Sequence, residues 1–248
     1  KETFAQKILA KKTRKQHLEI GEIVTVTPDH LLTHDNTAAI INKIETELDT
    51  YGIIDPDFPV IVLDHVVPPA NEKTALGHKK IREFITRFQI QHFFDAGRGI
   101  CHQVVLEEGL ALPGSLVVGS DSHTCSYGAV NAFATGIDRT EAASLLLTGE
   151  TWLKVPESIK MTLQGRLSTG VYPKDLILHI IGDIGADGAT YCSVEFHGDL
   201  ATLGIEDRLT ISKMGAVMGA KIAVFPCDSH TEHYFQNKGI QPCEYMPV

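Results

Sequence analysis

Three short apolar segments of this chain each end abruptly in ionisable side chains, and this pattern restricts the fold more than any other feature. The segments are 58–63, which precedes Asp64-His65; 90–94, which precedes a loop reaching His102; and 116–119, which precedes Ser120-Asp121-Ser122-His123. A short run rich in Val, Ile, Leu or Phe that is cut off by Gly, Asp or His is typical of a buried strand. In open α/β sheets, ligands bind outside the carboxyl ends of parallel strands. The sequence therefore predicts three histidines and two aspartates around one crevice.

Strand-like and helix-like segments alternate along the first 150 residues. The predicted strands are 22–26, 58–63, 90–94, 116–119 and 129–135, and the predicted helices are 3–10, 37–48, 74–88 and 141–147. The helices are predicted from apolar residues at helical spacing. This alternating order favours an α/β fold with a mainly parallel sheet and helices on its faces.

The character of the sequence changes near Thr151, where the segment 152–156 is typical of a linker. Beyond it we predict strands at 159–163, 189–196 and 221–225, and helices at 174–181 and 209–218. A chain of 248 residues can hold two domains of ordinary size. We therefore predict an α/β domain over residues 1–151 and a second, smaller one over residues 152–248.

Composition excludes several classes of function. The net charge is −9 and no Lys/Arg stripe offsets it, which argues against nucleic acid as a partner. No segment approaches the roughly 20 apolar residues of a membrane-spanning helix, so we expect no membrane partner. Five cysteines at irregular spacing, without a C-x-x-C pair, fit a reducing cytoplasm and carry no local signature of a zinc or iron–sulfur site.

The ionisable clusters differ in how strongly they indicate chemistry. Histidine beside a carboxylate suits proton transfer, but Asp64-His65 taken alone also fits a strand-terminating Asp with a half-buried His. His102 taken alone fits a core histidine. Arg98 could bind a substrate carboxylate or be an ordinary surface cation. Glu195, which ends a strand of the second predicted domain, also fits a structural salt bridge.

The loop from Gly119 to Gly128 is the strongest of these signals. It follows a predicted buried strand and consists almost entirely of small or hydrogen-bonding residues. A helix N-cap would explain only one Ser or Asp of this set. We therefore favour a functional interpretation, in which Asp121, Ser122 and His123 are presented together.

An ordered series of motifs resembles the aconitase superfamily, and specifically the large subunits of isopropylmalate isomerase (3-isopropylmalate dehydratase) and homoaconitase. The motifs are Val62-Leu-Asp-His65, Gly99-Ile-Cys-His102-Gln103, Val118-Gly-Ser-Asp-Ser-His-Thr124, Phe133-Ala-Thr-Gly136, Thr151-Trp-Leu-Lys-Val-Pro156, Val194-Glu-Phe-His-Gly198 and Met214-Gly-Ala-Val-Met-Gly-Ala220. The resemblance runs almost from end to end. It implies the first two domains of such a subunit, each with three α/β layers.

The resemblance also implies roles for individual residues. His65 would pair with Asp64, His102 with Asp121, and His123 with Glu195. The first pair would act as general acid on the departing hydroxyl group, while the other two would hold substrate and metal-bound water. Ser122 and, less directly, His34 would contact the substrate.

The implied activity is a hydro-lyase that interconverts 2-isopropylmalate and 3-isopropylmalate in leucine biosynthesis. Homoaconitase and dimethylmalate dehydratase are close alternatives, so the hydroxy acid used stays open. The implied cofactor is a 4Fe-4S cluster whose cysteine ligands lie in a third domain, in a Ser-Cys-Thr-Asn segment and a C-x-x-C motif. Neither motif is present here, and we predict no metal ligands within this chain.

The implied partner is a small subunit that carries the catalytic serine, in a heterodimer or heterotetramer. We accordingly expect this chain by itself to bind no cluster and to be inactive. Two other classes stay open. One is a hydrolase that binds Zn²⁺ or Mn²⁺ through residues 64, 65, 102, 121 and 123, and the other is a non-catalytic scaffold.

Overall fold

The computed structural model describes residues 2–241, so Cys243 and the end of the second predicted domain lie outside the described residues. The helices are α1 (Phe4–Thr13), α2 (Thr37–Ile41), α3 (Glu45–Tyr51), α4 (Glu72–Phe88), α5 (Cys101–Glu107), α6 (Arg139–Thr148), α7 (Pro173–Ile184), α8 (Ile205–Lys213) and α9 (Ser229–Gln236), with 3₁₀ helices at Ser122–Val130 and Met214–Met218. The strands are β1 (Ile23–Val26), β2 (His30–Thr33), β3 (Pro59–Val62), β4 (His92–Phe94), β5 (Leu116–Gly119), β6 (Phe133–Gly136), β7 (Thr151–Lys154), β8 (Ser158–Leu163), β9 (Ser193–Gly198) and β10 (Ile222–Val224).

A five-stranded sheet in the order β4-β3-β2-β5-β6 forms the centre of the first half of the chain, and its pairings are all parallel. The chain builds β3 and β4 on one side of β2 and then returns to build β5 and β6 on the other side. The strand order therefore reverses between β2 and β5. Ligands of open α/β sheets bind at such a switch point, outside the carboxyl ends of the strands.

Helices cover both faces of this sheet, as the predicted α/β fold requires. Successive strand residues point to opposite faces, so Ile61 packs into one core while Val60 and Val62 pack into the other. The first core includes residues of α2, α3, α4 and α6, and the second includes residues of α5 and of the 3₁₀ helix Ser122–Val130. Burying each large aliphatic side chain stabilises the fold by roughly 1.5–3 kcal/mol. The three-layer prediction is confirmed for this sheet.

A second, three-stranded parallel sheet has the order β10-β9-β8. Val194 and Phe196 pack on one face with side chains of α7 and α8. Ile222 and Val224 face the other way and share a core with Ile8 and other residues of α1. The first helix of the chain thus helps to cover the second sheet, while the boundary at residue 151 stays a prediction.

Several sequence predictions about elements were wrong. The predicted strand 189–196 begins only at Ser193, and the predicted helix 209–218 is the end of α8 followed by a 3₁₀ helix from Met214. The segment 152–156 is not a linker, because residues 151–154 form β7, which pairs antiparallel with β1. The predicted helix 37–48 is two helices, α2 and α3, separated at residues 42–44. The predicted strand 129–135 begins only at Phe133, because residues 122–130 form a 3₁₀ helix.

No helix among residues 2–241 is both long enough and apolar enough to cross a lipid bilayer.

Candidate active site

The candidate site lies at the carboxyl ends of β2, β3 and β5, on both sides of the switch point. Residues 34–36 follow β2, Asp64 and His65 follow β3, and residues 120–123 follow β5. His102 comes from the first turn of α5. The predicted gathering of His65, His102 and His123 around aspartates is therefore confirmed as geometry.

Asp121 is the carboxylate that these three histidines share. One of its oxygens, Oδ1, lies 2.9 Å from Nε2 of His102 and 3.4 Å from Nδ1 of His123, and it accepts the backbone N–H of His123 at 2.8 Å. The other, Oδ2, lies 3.4 Å from Nε2 of His65. The side chain of Asp121 is only 13% exposed, so water does little to screen these contacts.

Asp64 and His65 form a direct pair, although they are adjacent in sequence. Nδ1 of His65 lies 2.6 Å from Oδ1 of Asp64. Oδ2 of Asp64 accepts the backbone N–H of Cys101, at the start of α5, at 2.6 Å. The predicted pairs Asp64–His65 and His102–Asp121 are thus both present in the structure.

The charges in this cluster favour a protonated His65 and an ionised Asp121. Partial burial lowers the pKa of His65, but the hydrogen bond to Asp64 and the negative charges of Asp64 and Asp121 outweigh it and raise the pKa above 6.5. Burial raises the pKa of Asp121, but the hydrogen bond and charge of His102 together with the N–H and charge of His123 lower it well below the usual range. His65 can therefore donate a proton near neutral pH.

His102 is held between Asp121 and Tyr127. Nδ1 of His102 lies 3.0 Å from the hydroxyl of Tyr127, whose pKa is raised by complete burial, so that the hydroxyl keeps its proton. An ionised carboxylate can only accept hydrogen bonds, so Nε2 of His102 carries a proton and donates it to Asp121. This arrangement fixes both the orientation of the His102 ring and its tautomer.

His34 lies against His65, with ring centroids 3.9 Å apart and planes 23° apart. Burial and, next, the neighbouring His65 lower the pKa of His34, so this ring is neutral where His65 is charged. Its Nδ1 is buried and has no hydrogen-bond partner among residues 2–241. His34 and His65 line a cavity of about 850 Å³ together with residues of α2 and α4.

The predicted pairing of His123 with Glu195 was wrong. Glu195 lies on β9, where its Oε1 accepts the hydroxyl of Ser158 at 2.7 Å and the backbone N–H of Phe4 at 3.2 Å. The positive end of α1 therefore stabilises this carboxylate. His123 contacts Asp121 instead.

Two predicted substrate contacts, Arg98 and Ser122, have other surroundings in the structure. The guanidinium of Arg98 pairs with Glu108, which follows α5, and with Glu107, the last residue of α5, and both raise the pKa of Arg98. Ser122 is exposed and lines a different cavity, beside Thr135 and Lys221. Substrate-binding roles for both residues stay predictions.

Sequence reasoning missed three groups that contact the predicted site residues. Tyr127 bonds to His102, and the side-chain oxygen of Asn36 accepts the backbone N–H of His34 at 3.5 Å while Asn36 also bonds to Ser120, next to Asp121. Asp35 accepts the backbone N–H groups of residues 64–66. Asp35 and Asn36 were missed because β2, a strand of only four residues with two apolar side chains, was not recognised. Recognition of β2 would have placed them at the same sheet edge as Asp64 and Asp121.

The cysteines of residues 2–241 do not fit an iron–sulfur cluster. The four of them, at 101, 125, 192 and 227, are free thiols in separate segments, and no three form a ligand group in this part of the chain. Burial raises the pKa of Cys125 to about 12 and also raises that of Cys101, whereas iron is bound by thiolates. A cluster would need thiolates from other residues.

Four possible metal-ligand atoms do lie within 4.8 Å of one another, on His34, Asp35, Asp64 and His65. Asp35 already accepts four hydrogen bonds, and Nδ1 of His65 already contacts Asp64. This set also omits His102, Asp121 and His123, which the hydrolase hypothesis requires.

An open parallel α/β sheet with a histidine–aspartate cluster at its switch point is typical of an enzyme that transfers protons. The model of the aconitase family (aconitate hydratase) matches residues 6–246 of this chain. The chain belongs to the aconitase family, as its motifs predicted.

Relatives within this family extend well beyond the present chain. The 3-isopropylmalate dehydratase large subunit 1 of Methanopyrus kandleri is 40% identical over 95% of this chain and 56% of its own length. The 3-isopropylmalate dehydratase large subunit of Aquifex aeolicus is 43% identical over 97% of this chain and 56% of its own length. The probable methanogen homoaconitase large subunit of Methanosarcina mazei is 43% identical over 89% of this chain and 56% of its own length. The chain thus spans little more than half the length of these relatives.

Proposed function

We propose that this chain forms part of the large subunit of a hydro-lyase that interconverts 2-isopropylmalate and 3-isopropylmalate by dehydration and rehydration. The observation that carries the proposal is the carboxylate of Asp121, shared by the imidazoles of His65, His102 and His123 at the sheet switch point. The names of the dehydratase relatives support the choice of reaction. Under this proposal the enzyme would act in leucine biosynthesis.

Dehydration requires a proton for the departing hydroxyl group, and His65 is the group best suited to supply it. Its Nδ1 contacts Asp64, and its raised pKa keeps a proton available near neutral pH. The half-exposed ring can reach a small hydroxy acid in the crevice. In the reverse direction the same ring, once neutral, accepts the proton again.

His102, His123 and Asp121 have a different task in this proposal. The ionised carboxylate of Asp121 orients the three rings and favours the protonated form of His65, and Tyr127 fixes the His102 ring. The rings oriented in this way can therefore bind a small hydroxy acid in a preorganised polar site, which needs no rearrangement when charge develops during the reaction.

A 4Fe-4S cluster and a small subunit complete the proposed enzyme. Family membership implies an iron–sulfur cluster, and the term "large subunit" in the relatives' names implies a smaller partner. Because the described cysteines do not form a ligand set, we derive no catalytic step through the cluster. We propose that the cluster ligands and the catalytic serine both come from outside residues 2–241.

The test is an assay of the complete, anaerobically reconstituted enzyme, with its small subunit, on isopropylmalate. We expect interconversion of the 2- and 3-hydroxy isomers, followed through the unsaturated intermediate, with a higher kcat/KM than for homologous tricarboxylic hydroxy acids or dimethylmalate. A preference for the tricarboxylic acids would favour the homoaconitase alternative, which the Methanosarcina mazei relative keeps open. No turnover of any of these acids would contradict the proposal.

A further inference from the structure

The direct contact between Asp64 and His65 poses a geometric problem. Neighbouring side chains on an extended strand point to opposite faces, so adjacent residues there cannot pair. The chain must turn immediately after β3 for Oδ1 of Asp64 to reach Nδ1 of His65 at 2.6 Å. The ring of His65 is 38% exposed and packs against His34 on one side only. Contacts to the backbone must therefore hold the turn.

A single buried carboxylate makes the contacts that hold the turn. Oδ2 of Asp35 accepts the backbone N–H of Asp64 at 3.1 Å and that of His65 at 2.8 Å, and Oδ1 accepts that of Val66 at 3.2 Å. Three consecutive N–H groups directed at one anion form a concave anion-binding backbone arrangement. The turn that brings Asp64 and His65 together is therefore built around the side chain of Asp35.

Asp35 is itself held in place from α4. Nε2 of His78 lies 2.6 Å from Oδ1 of Asp35, and the side chains are only 2% and 6% exposed. Burial raises the pKa of Asp35, but the N–H groups of the turn and the His78 contact lower it below its usual value, so Asp35 is ionised. An ionised carboxylate only accepts, so Nε2 of His78 carries the proton of this hydrogen bond.

We propose that Asp35, fixed by His78, is a positioning residue that holds the Asp64–His65 pair in the geometry required for proton transfer. The inference rests on the proposed function for its catalytic meaning. The negative charge of Asp35 contributes in the same direction, because it adds to the charges that favour the protonated form of His65. Asp35 thus acts through the pair and has no contact with substrate in this scheme.

Asp35→Asn tests the proposal, because the amide keeps the size of the side chain but cannot accept through both of its ends. In the complete enzyme we expect kcat to fall by on the order of 10²-fold, as for a misplaced catalytic group, with a smaller change in KM. The alkaline limb of the pH–activity profile, where His65 loses its proton, should also move to lower pH, since the variant loses a negative charge that favours the protonated ring.

A direct readout does not depend on turnover. Nuclear magnetic resonance titration of labelled histidines, with the His65 signal assigned through His65→Gln, should show a lower midpoint for His65 in Asp35→Asn. Asp29→Asn is the matched control, since Asp29 also accepts a backbone N–H of the same sheet, that of Leu116 at 2.7 Å, but lies at its opposite edge. This control should leave the His65 midpoint unchanged.

A second pair of variants keeps the test decisive if Asp35→Asn folds poorly. His78→Gln retains an N–H donor for Asp35 and should keep more activity than His78→Leu, which should lower the His65 midpoint as Asp35→Asn does. An unchanged His65 midpoint and pH limb in Asp35→Asn and His78→Leu would overturn the positioning role. If the enzyme without substitutions is inactive but the variants show the predicted shifts of the His65 midpoint, only the proposed function would be contradicted.

Discussion

The three imidazoles around Asp121 present different nitrogen atoms to the same carboxylate. His65 and His102 use Nε2, whereas His123 uses Nδ1 and also donates its backbone N–H. Asp121 is the N-cap of the 3₁₀ helix Ser122–Val130, so the residue that begins this helix also organises the cluster. A single local motif after β5 therefore serves both the fold and the site.

This double role predicts a pH dependence of stability. The pKa of Asp121 is lower in the folded state than in the unfolded state. The stabilisation that its ionised carboxylate gives to the folded state is therefore fully present above the unfolded-state pKa of about 3.9, and it is lost as pH falls through the folded-state pKa. Asp121→Asn should therefore lower the free energy of unfolding by about 1 to 3 kcal/mol at pH 7. Urea unfolding at pH 7, 4 and 3 should show this difference shrinking with acidity. A difference that does not change with pH would contradict the assigned charge.

The histidines and aspartates of the cluster were predictable because each follows a recognisable apolar strand or a glycine-rich loop. The resemblance supplied the partners Asp64 and Asp121 correctly. The pairing of His123 with Glu195 that the resemblance implied was wrong. The partner of a strand residue depends on which face of the sheet the residue occupies and on what covers that face. Here α1 covers it, and sequence spacing carries no information on that contact.

At the scale of elements, segments with a sustained apolar pattern were predicted better than segments without one. α4 begins at Glu72, two residues before its predicted start, because Asn71 caps it through the backbone N–H of Thr74. β2 (His-Leu-Leu-Thr) and β7 (Thr-Trp-Leu-Lys) contain only two apolar residues each, too few for a pattern to stand out from the polar segments around them. β2 is nevertheless the central strand of the first sheet, since tertiary packing decides strand position.

The 3₁₀ helix Ser122–Val130 packs unusually closely against β10. A Cβ atom added to Gly128 would lie 1.9 Å from the carbonyl oxygen of Ala223, and the carbonyl of Gly128 already accepts the N–H of Phe225 at 2.9 Å. Only glycine permits this backbone approach. The second sheet thereby supports the helix that carries His123.

Gly128→Ala should accordingly force this helix away from β10. We expect a loss of about 1 to 3 kcal/mol from overpacking and a melting temperature lower by roughly 3 to 10 °C. Gly182→Ala, in α7, is the matched control because its added Cβ meets no atom within 4 Å. Thermal unfolding followed by circular dichroism compares the two variants. Equal melting temperatures for both would show that the close contact is not needed.

At the scale of the whole molecule, the two sheets share one apolar core. That core joins residues of α1, β1 and β7 with Leu116 and Phe133 of the first sheet and Ile222 and Val224 of the second. The predicted division at residue 151 therefore follows the order of the sheets along the chain, although side chains from both sides of it pack together. Sequence periodicity locates sheets, but it does not reveal which helix covers a distant sheet.

This shared core predicts cooperative unfolding of residues 1–151 and 152–248. Differential scanning calorimetry should show one transition whose calorimetric enthalpy equals the van 't Hoff enthalpy. The reason is that separating the two parts would expose the apolar surface of α1 and β10 together. Two resolved transitions would instead support independent domains.

The most direct test of the central claim, that Asp121 organises an acid–base site at the switch point, is the turnover of isopropylmalate by the complete enzyme with and without Asp121→Asn. We predict a loss of about 10²–10⁴-fold in kcat, the range for general acid–base groups. Asp57→Asn is the matched control, because Asp57 also lies near a histidine, 3.6 Å from Nε2 of His92, but at the opposite edge of the sheet. Full activity in the control with this loss in Asp121→Asn would agree with the account, whereas unchanged turnover in Asp121→Asn would contradict it.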